Sequence, residues 1–144
     1  MNMKFDHLGV VVSDIENGKE HFSNVHGLNK WSKKYYDNIN GVIVQFGKKN
    51  NGLCYELIAP IDDKSPVYNV IMKKYNILNH VAYLVDDIKV CYEENLKSDF
   101  IIISEPSKAI AYNMDKIQFF YSKKYNYILE LIQSALHEHV YFKN

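Results

Sequence analysis

Runs of apolar and β-branched residues recur along the chain, separated by polar clusters, and they predict two similar sets of elements. Phe5 to Val12 reads as a strand. Ser13 or Asp14 can cap a helix over roughly Ile15 to Val25, which His26-Gly27 ends with a left-handed glycine cap. Three strands follow, near Lys30 to Tyr36, Val42 to Lys48 and Leu53 to Ala59, with Asn50-Asn51-Gly52 as a hairpin turn. The pattern then returns. Asn79 to Val85 predicts a strand and Ile88 to Ser98 a helix. Phe100 to Ser104, Lys116 to Tyr121 and Tyr127 to Gln133 predict three more strands. Ser65 to Tyr75 reads as a linker helix with Pro66 in its first turn. The tail from Ser134 to Asn144 gives no single reading.

The residues themselves repeat. Phe5 to Ile15 (FDHLGVVVSDI) lies over Leu78 to Ile88 (LNHVAYLVDDI), so that His7 falls on His80 at an offset of 73. Tyr55 to Ile58 (YELI) lies over Leu129 to Ile132 (LELI), so that Glu56 falls on Glu130 at an offset of 74. Two matches far apart at nearly one offset argue for two copies of a single unit. The expectation is one domain over 1–144, with a first βαβββ module at about 5–60, the linker helix at about 65–75, a second module at about 78–133 and a tail at 134–144. Neither unit is large enough to bury a sheet face alone. Side by side they make an α+β fold, a curved mixed sheet (a half-barrel) with the helices outside.

Strand side chains alternate, so Phe5, His7, Gly9 and Val11 are expected on one face, and Leu78, His80, Ala82 and Leu84 on the matching one. Cys54, Glu56 and Ile58 share a face, as do Ile128, Glu130 and Ile132. Pseudo-twofold packing then gathers His7, Glu56, His80 and Glu130 at the centre of the concave side. A carboxylate in a strand run that continues with leucine and isoleucine is costly to bury unless it is paired or bound to a cation. Two such glutamates repel each other, and a divalent metal removes that conflict. Two imidazoles and two carboxylates suit Ni, Co, Zn or Mn, and in an octahedral ion they leave two positions for water or substrate. The repeat leaves open whether the two units pack within one chain or across two.

Composition narrows the setting. Lys+Arg and Asp+Glu number 17 each, for a formal net charge of zero, and no basic stripe favours nucleic acid. Every one of those 17 basic residues is lysine, so no guanidinium fork is available for a carboxylate or phosphate. The two cysteines, Cys54 and Cys91, do not suggest a disulfide scaffold. No apolar run is long enough to span a bilayer, and a cytoplasmic protein without membrane contact is the expectation.

These segments, together with YELIAPIDDKSPV and YILELIQ, resemble the vicinal-oxygen-chelate superfamily. That group includes glyoxalase I, methylmalonyl-CoA epimerase, extradiol dioxygenases and bleomycin-resistance proteins. The resemblance runs from Phe5 to Gln133 and is strongest to bacterial glyoxalase I and methylmalonyl-CoA epimerase. It implies that His7, Glu56, His80 and Glu130 hold one divalent metal, and that Glu130, with Glu56, moves a proton next to a carbonyl through a metal-stabilised enediolate. It implies a small-molecule substrate, a thiol hemithioacetal or an acyl-CoA, and a homodimer. A lyase of the glyoxalase I (lactoylglutathione lyase) type is the first expectation. An acyl-CoA epimerase or a non-catalytic ligand-binding protein is the alternative. A fourth metal ligand argues against a ring-cleaving dioxygenase. This chain has Val11 where bacterial glyoxalase I carries an arginine, and Asp37 is the only acid in the stretch where the epimerase carries a further glutamate.

Other residues read more plainly. His137-Glu138-His139 is expected to be a solvated terminus, and His21 and His26 surface residues. Cys54 is expected to be a small buried thiol beside Glu56, and Tyr112 to close the pocket from the second copy's loop.

Overall fold

The structure is a computed structural model that describes residues 2–50, 52–134 and 139–143. In the first half, β1 (Lys4–Val11) leads into α1 (Ile15–His26), then β2 (Lys30–Trp31), β3 (Tyr35–Asp37), β4 (Val42–Lys48) and β5 (Cys54–Pro60). A short helix, α2 (Tyr68–Met72), connects to the second half. There β6 (Leu78–Val85) and α3 (Ile88–Cys91) precede β7 (Phe100–Ile102), β8 (Ser107–Ala109), β9 (Asp115–Ser122) and β10 (Ile128–Gln133). The ten strands form one open mixed sheet in the order β2-β4-β5-β1-β6-β10-β9-β7, with β3 beside β4 and β8 beside β9. No helix among the described residues is long and apolar enough to cross a membrane.

Each half pairs its first strand in parallel with its last, β1 with β5 and β6 with β10, and the halves join through antiparallel β1 and β6. The helix caps repeat as well. Asp14 accepts from the Asn17 amide at 2.8 Å, and Asp87 from the Val90 amide at 2.9 Å. Gly27 ends α1 in the left-handed conformation at φ 72°. α1 packs outside the first half on Val10, Leu57 and Ala59, and α3 outside the second half on Phe120, Leu129 and Leu131. The third apolar cluster fills the concave side and includes Val11, Val44, Phe46, Ala82 and Ile132.

Four expectations change. The strand expected over Lys30 to Tyr36 is two strands, and the one expected over Phe100 to Ser104 stops at Ile102 and resumes as β8. A serine makes each break. Ser32 Oγ accepts the Phe46 amide at 3.0 Å, and Ser104 Oγ accepts the Phe119 amide at 2.9 Å. A hydroxyl thus replaces a carbonyl in the ladder, and the chain leaves the sheet at Lys33-Lys34 and at Glu105-Pro106. Proline has no amide to continue the ladder. The linker helix is shorter than Ser65 to Tyr75, because Asp62 to Val67 is spent on turns and Lys74 adopts φ 54°. The second-half helix ends its α-helical part at Cys91 and continues as a π turn over Tyr92–Leu96. Part of the expected turn at Asn50-Asn51-Gly52, and His137 and Glu138 in the tail, lie outside the described residues.

Candidate metal centre

Two bulges build the centre. Along β1 and β6 the partners run Phe5↔Tyr83, His7↔Ala82, Gly9↔His80 and Val10↔Leu78, so one extra residue sits before each histidine: Asp6 on β1 and Asn79 on β6. A bulge turns two successive side chains toward one side. Asp6 therefore lies beside His7, its Oδ2 2.8 Å from Nδ1, and Asn79 Oδ1 lies 2.9 Å from His80 Nδ1. The bulges also correct the expected faces. Phe5 leaves the side of His7 and meets Tyr83 edge-on at 5.8 Å, while Leu78 pairs with Val10 on the other side of the sheet and is exposed. Gly9 stays on the inner face because His80 lies over it: a Cβ there would come within 2.1 Å of the imidazole.

The four expected residues come together, all buried and all from one chain. Their donor atoms lie within 4.8 Å of one another. His7 Nε2 is 3.1 Å from Glu56 Oε2, 3.3 Å from Glu130 Oε2 and 3.3 Å from His80 Nε2. His80 Nε2 is 2.9 Å from Glu130 Oε2 and 3.3 Å from Glu56 Oε2. Neighbouring ligands at ~2.1 Å from one ion stand ~3.0 to 3.4 Å apart in octahedral or tetrahedral geometry. Despite its short contact with His80, the buried Glu130 Oε2 has no donor properly aimed at it. An orphaned buried acceptor beside two imidazoles and a second carboxylate fits a divalent cation.

Without a cation, protons hold the cluster together. Burial pulls the His7 imidazolium down, but the charge of Glu56 and the hydrogen bond between His7 and Asp6 outweigh it and raise its pKa well above the usual value. His80 is raised too: burial opposes the shift, and Glu130 and Glu56 overcome it. Burial works against the Glu56 carboxylate, yet the two histidines lower it to about 2.

The surrounding rings repeat as the histidines do. Phe46 meets His7 edge-on at 5.4 Å, and Phe119 meets His80 edge-on at 5.5 Å. Gln45 donates to the Ser32 carbonyl at 2.6 Å and Gln118 to the Ser104 carbonyl at 3.0 Å. Gln45-Phe46 and Gln118-Phe119 stand 73 positions apart, the spacing of the histidines, so the same repeat carried this signal.

The tail breaks the symmetry. A 3-10 turn over Val140–Phe142 sends Tyr141 into the core, where it stacks on Phe46 at 3.5 Å and donates to Asp6 Oδ2 at 2.9 Å. His139, expected in a solvated terminus, instead sits 3.0 Å from the Asp6 carbonyl by its Nε2. Tyr141 went unrecognised because one aromatic residue in a short irregular segment has no period to mark it. Cys54 is buried as expected, 3.4 Å from the Tyr141 hydroxyl, and burial pushes its thiol up to about 11. His21 and His26 are exposed on α1.

A cavity of ≈ 410 Å³ opens over the cluster. Glu56, His80 and Glu130 form its floor, while Val44, Ile58, Ile117 and Phe119 supply apolar wall. Tyr112 lines it from the second half and stacks on His7 at 6.1 Å. At the mouth, Asn40 binds Asp37 (2.9 Å) and the Lys108 carbonyl (3.1 Å), and accepts from Ser107 (2.8 Å), so it clasps the two halves together.

Comparison with known proteins agrees with this architecture. A relative, the uncharacterized protein YqjC of Bacillus subtilis (strain 168), is 29% identical over 97 residues, 66% of this chain and 64% of that protein's length. The hypothetical protein BH1468 of Bacillus halodurans C-125 superposes with a TM-score of 0.79 at 20% identity, over 96% of this chain and 99% of the other. A variant of the Streptomyces coelicolor methylmalonyl-CoA epimerase, in complex with 2-nitronate-propionyl-CoA, superposes with a TM-score of 0.78 at 19% identity, over 95% and 99%. At such identities the two structures speak for the fold. The family model for the Glyoxalase/Bleomycin resistance protein/Dioxygenase superfamily matches residues 6–121, and the chain belongs to that superfamily.

Proposed function

We propose that this protein is a divalent-metal-dependent enzyme that moves a proton next to a carbonyl, with His7, Glu56, His80 and Glu130 as metal ligands. The observation that carries the reading is the convergence of those four buried side chains, three of them on the floor of an apolar cavity. A bound Ni, Co, Zn or Mn ion supplies a Lewis acid that stabilises the charge developing on a carbonyl oxygen as the adjacent proton leaves. The chain's own residues do the rest. His7 is fully buried and anchored by Asp6, which suits it to holding rather than reacting. Glu130 and Glu56 both line the cavity, so either carboxylate can meet a substrate C–H. Glu130 is assigned the proton transfer, with Glu56 as its counterpart on the opposite copy. The apolar walls keep water from the reacting carbon.

Glyoxalase I-type isomerisation of a thiol hemithioacetal is the first reading. Epimerisation of an acyl-CoA stands equally well, supported by the likeness to an epimerase that holds 2-nitronate-propionyl-CoA. The test is metal content per chain of the purified protein and of His80→Ala, followed by turnover of both substrate classes. About one metal per chain in the parent and a large loss in the variant is expected, with Glu130→Gln keeping the metal and losing turnover. A parent that takes up no metal after reloading overturns the enzyme reading in favour of a ligand-binding protein.

A further inference from the structure

The charges around the cavity narrow the substrate further, and the argument rests on the metal-enzyme reading above. Glu56 and Glu130 together offset one divalent cation. Asp37 and Glu105 also line the cavity, so the metal-loaded site keeps a surplus of acidic charge. Asp37 is buried and fixed in place, because Asn40 donates to it twice, from its amide at 3.0 Å and from Nδ2 at 2.9 Å. Glu105 sits on the segment that leaves the sheet after Ser104 and is exposed at the mouth. Between floor and mouth the walls include Val44, Ile58, Ile117, Phe119 and Ile128. A low-dielectric wall strengthens repulsion between a fixed carboxylate and any anion placed near it.

We infer that the substrate presents its two neighbouring oxygens on an apolar body whose far end is uncharged or cationic where it meets Asp37 and Glu105. A carboxylate or phosphate is excluded from the cavity. Among hemithioacetals, the fitting ones join a 2-oxoaldehyde to a thiol whose near portion lacks a carboxylate. Among acyl thioesters, the fitting ones carry a neutral or amino-bearing acyl chain, with any phosphates held outside the mouth.

Hydroxamic acids test this, since they offer two adjacent oxygens to a metal and undergo no turnover. Cobalt(II)-loaded protein is titrated with hexanohydroxamic acid and with its amino-terminated and carboxy-terminated analogues, following the cobalt absorption bands. The methyl- and amino-terminated compounds are expected to bind at least about tenfold more tightly than the carboxy-terminated one. Glu105→Gln and Asp37→Asn are each expected to shrink that ratio, Glu105→Gln without cost to the fold because the residue is exposed. Equal or tighter binding of the carboxy-terminated compound overturns the inference, as does a ratio that both variants leave intact. A protein that takes up no cobalt overturns the metal-enzyme reading instead, so the two failures are distinguishable.

Discussion

The two halves of the molecule build one histidine cradle twice and finish it differently. Around His80 the cradle is Asn79 on Nδ1 and Phe119 at the ring edge, and His80, Asn79 and Phe119 all border the cavity. Around His7 it is Asp6 on Nδ1 and Phe46 at the ring edge, and Tyr141 then covers Phe46 and binds Asp6. A carboxylate behind an imidazole makes it a stronger and more firmly oriented ligand than an amide does. Duplication therefore supplies equal frames, and one acid and one tyrosine turn the first into an anchor. The second is left facing the space where a ligand must enter. Sequence-level symmetry alone would assign the two histidines equal parts.

The largest test of that contrast is Gly9→Ala. The added methyl would strike the His80 ring at 2.1 Å, so metal affinity is expected to fall at least about a hundredfold, measured by competition with a chelator. The reciprocal change on the other copy, Ala82→Gly, opens space beside His7 and is expected to alter affinity little. Comparable losses from both would show that the cradles are not differently packed.

Exchanging the second partners comes next. Asp6→Asn is expected to weaken metal binding by about 10- to 100-fold, and Asn79→Asp to leave it equal or strengthen it. Equal effects from the two would dissolve the distinction between anchor and open ligand. Cobalt(II) absorption spectra of the same variants report the ligand field directly.

Tyr141→Ala removes a buried ring and is expected to cost about 3 to 5 kcal/mol of stability in thermal or denaturant unfolding. Tyr141→Phe keeps the stack on Phe46 and removes the hydroxyl that binds Asp6, and about 1 kcal/mol is expected. A Tyr141→Phe loss as large as that of Tyr141→Ala would place the weight on the hydrogen bond rather than on the ring.

The smallest expected effect is in pH. His7 and His80 have raised pKa values, so their contribution to the metal-free fold is full below the ordinary 6.5 and fades as pH climbs through the raised values. Glu56 is lowered to about 2 from 4.5, so its contribution is full above 4.5 and fades as pH falls toward 2. The metal-free protein is expected to melt highest between those limits. Metal affinity moves the other way on the alkaline side, since binding must displace the imidazolium protons. Melting curves with and without metal that shift in parallel across pH would contradict the proton-held cluster.

Much of the centre was legible in the sequence because its four residues lie in strands and the strands repeat. A fixed offset pairs His7 with His80 and Glu56 with Glu130, and alternation puts each pair on a common side. What alternation misses is the residue that interrupts it. Asp6 and Asn79 look outward-facing by count, and only the cross-strand register reveals the bulges that bring them in. Ser32 and Ser104 escaped notice for a related reason, since a serine that replaces a carbonyl in a ladder is unremarkable until its partner strand is in place. Gln45-Phe46 and Gln118-Phe119 were readable at the same offset as the histidines. Tyr141 was not, because its contacts span 135 positions and belong to no repeat.

That separation gives the fold an order of completion. The first strand is made early, but the hydroxyl that closes over Asp6 emerges 135 residues later. Asn79 and Phe119, by contrast, lie within 39 positions of the histidine they support. During synthesis the second cradle is therefore complete once Phe119 has emerged, whereas the first also waits for Tyr141. Any metal captured before then meets a site whose anchor is still unfinished.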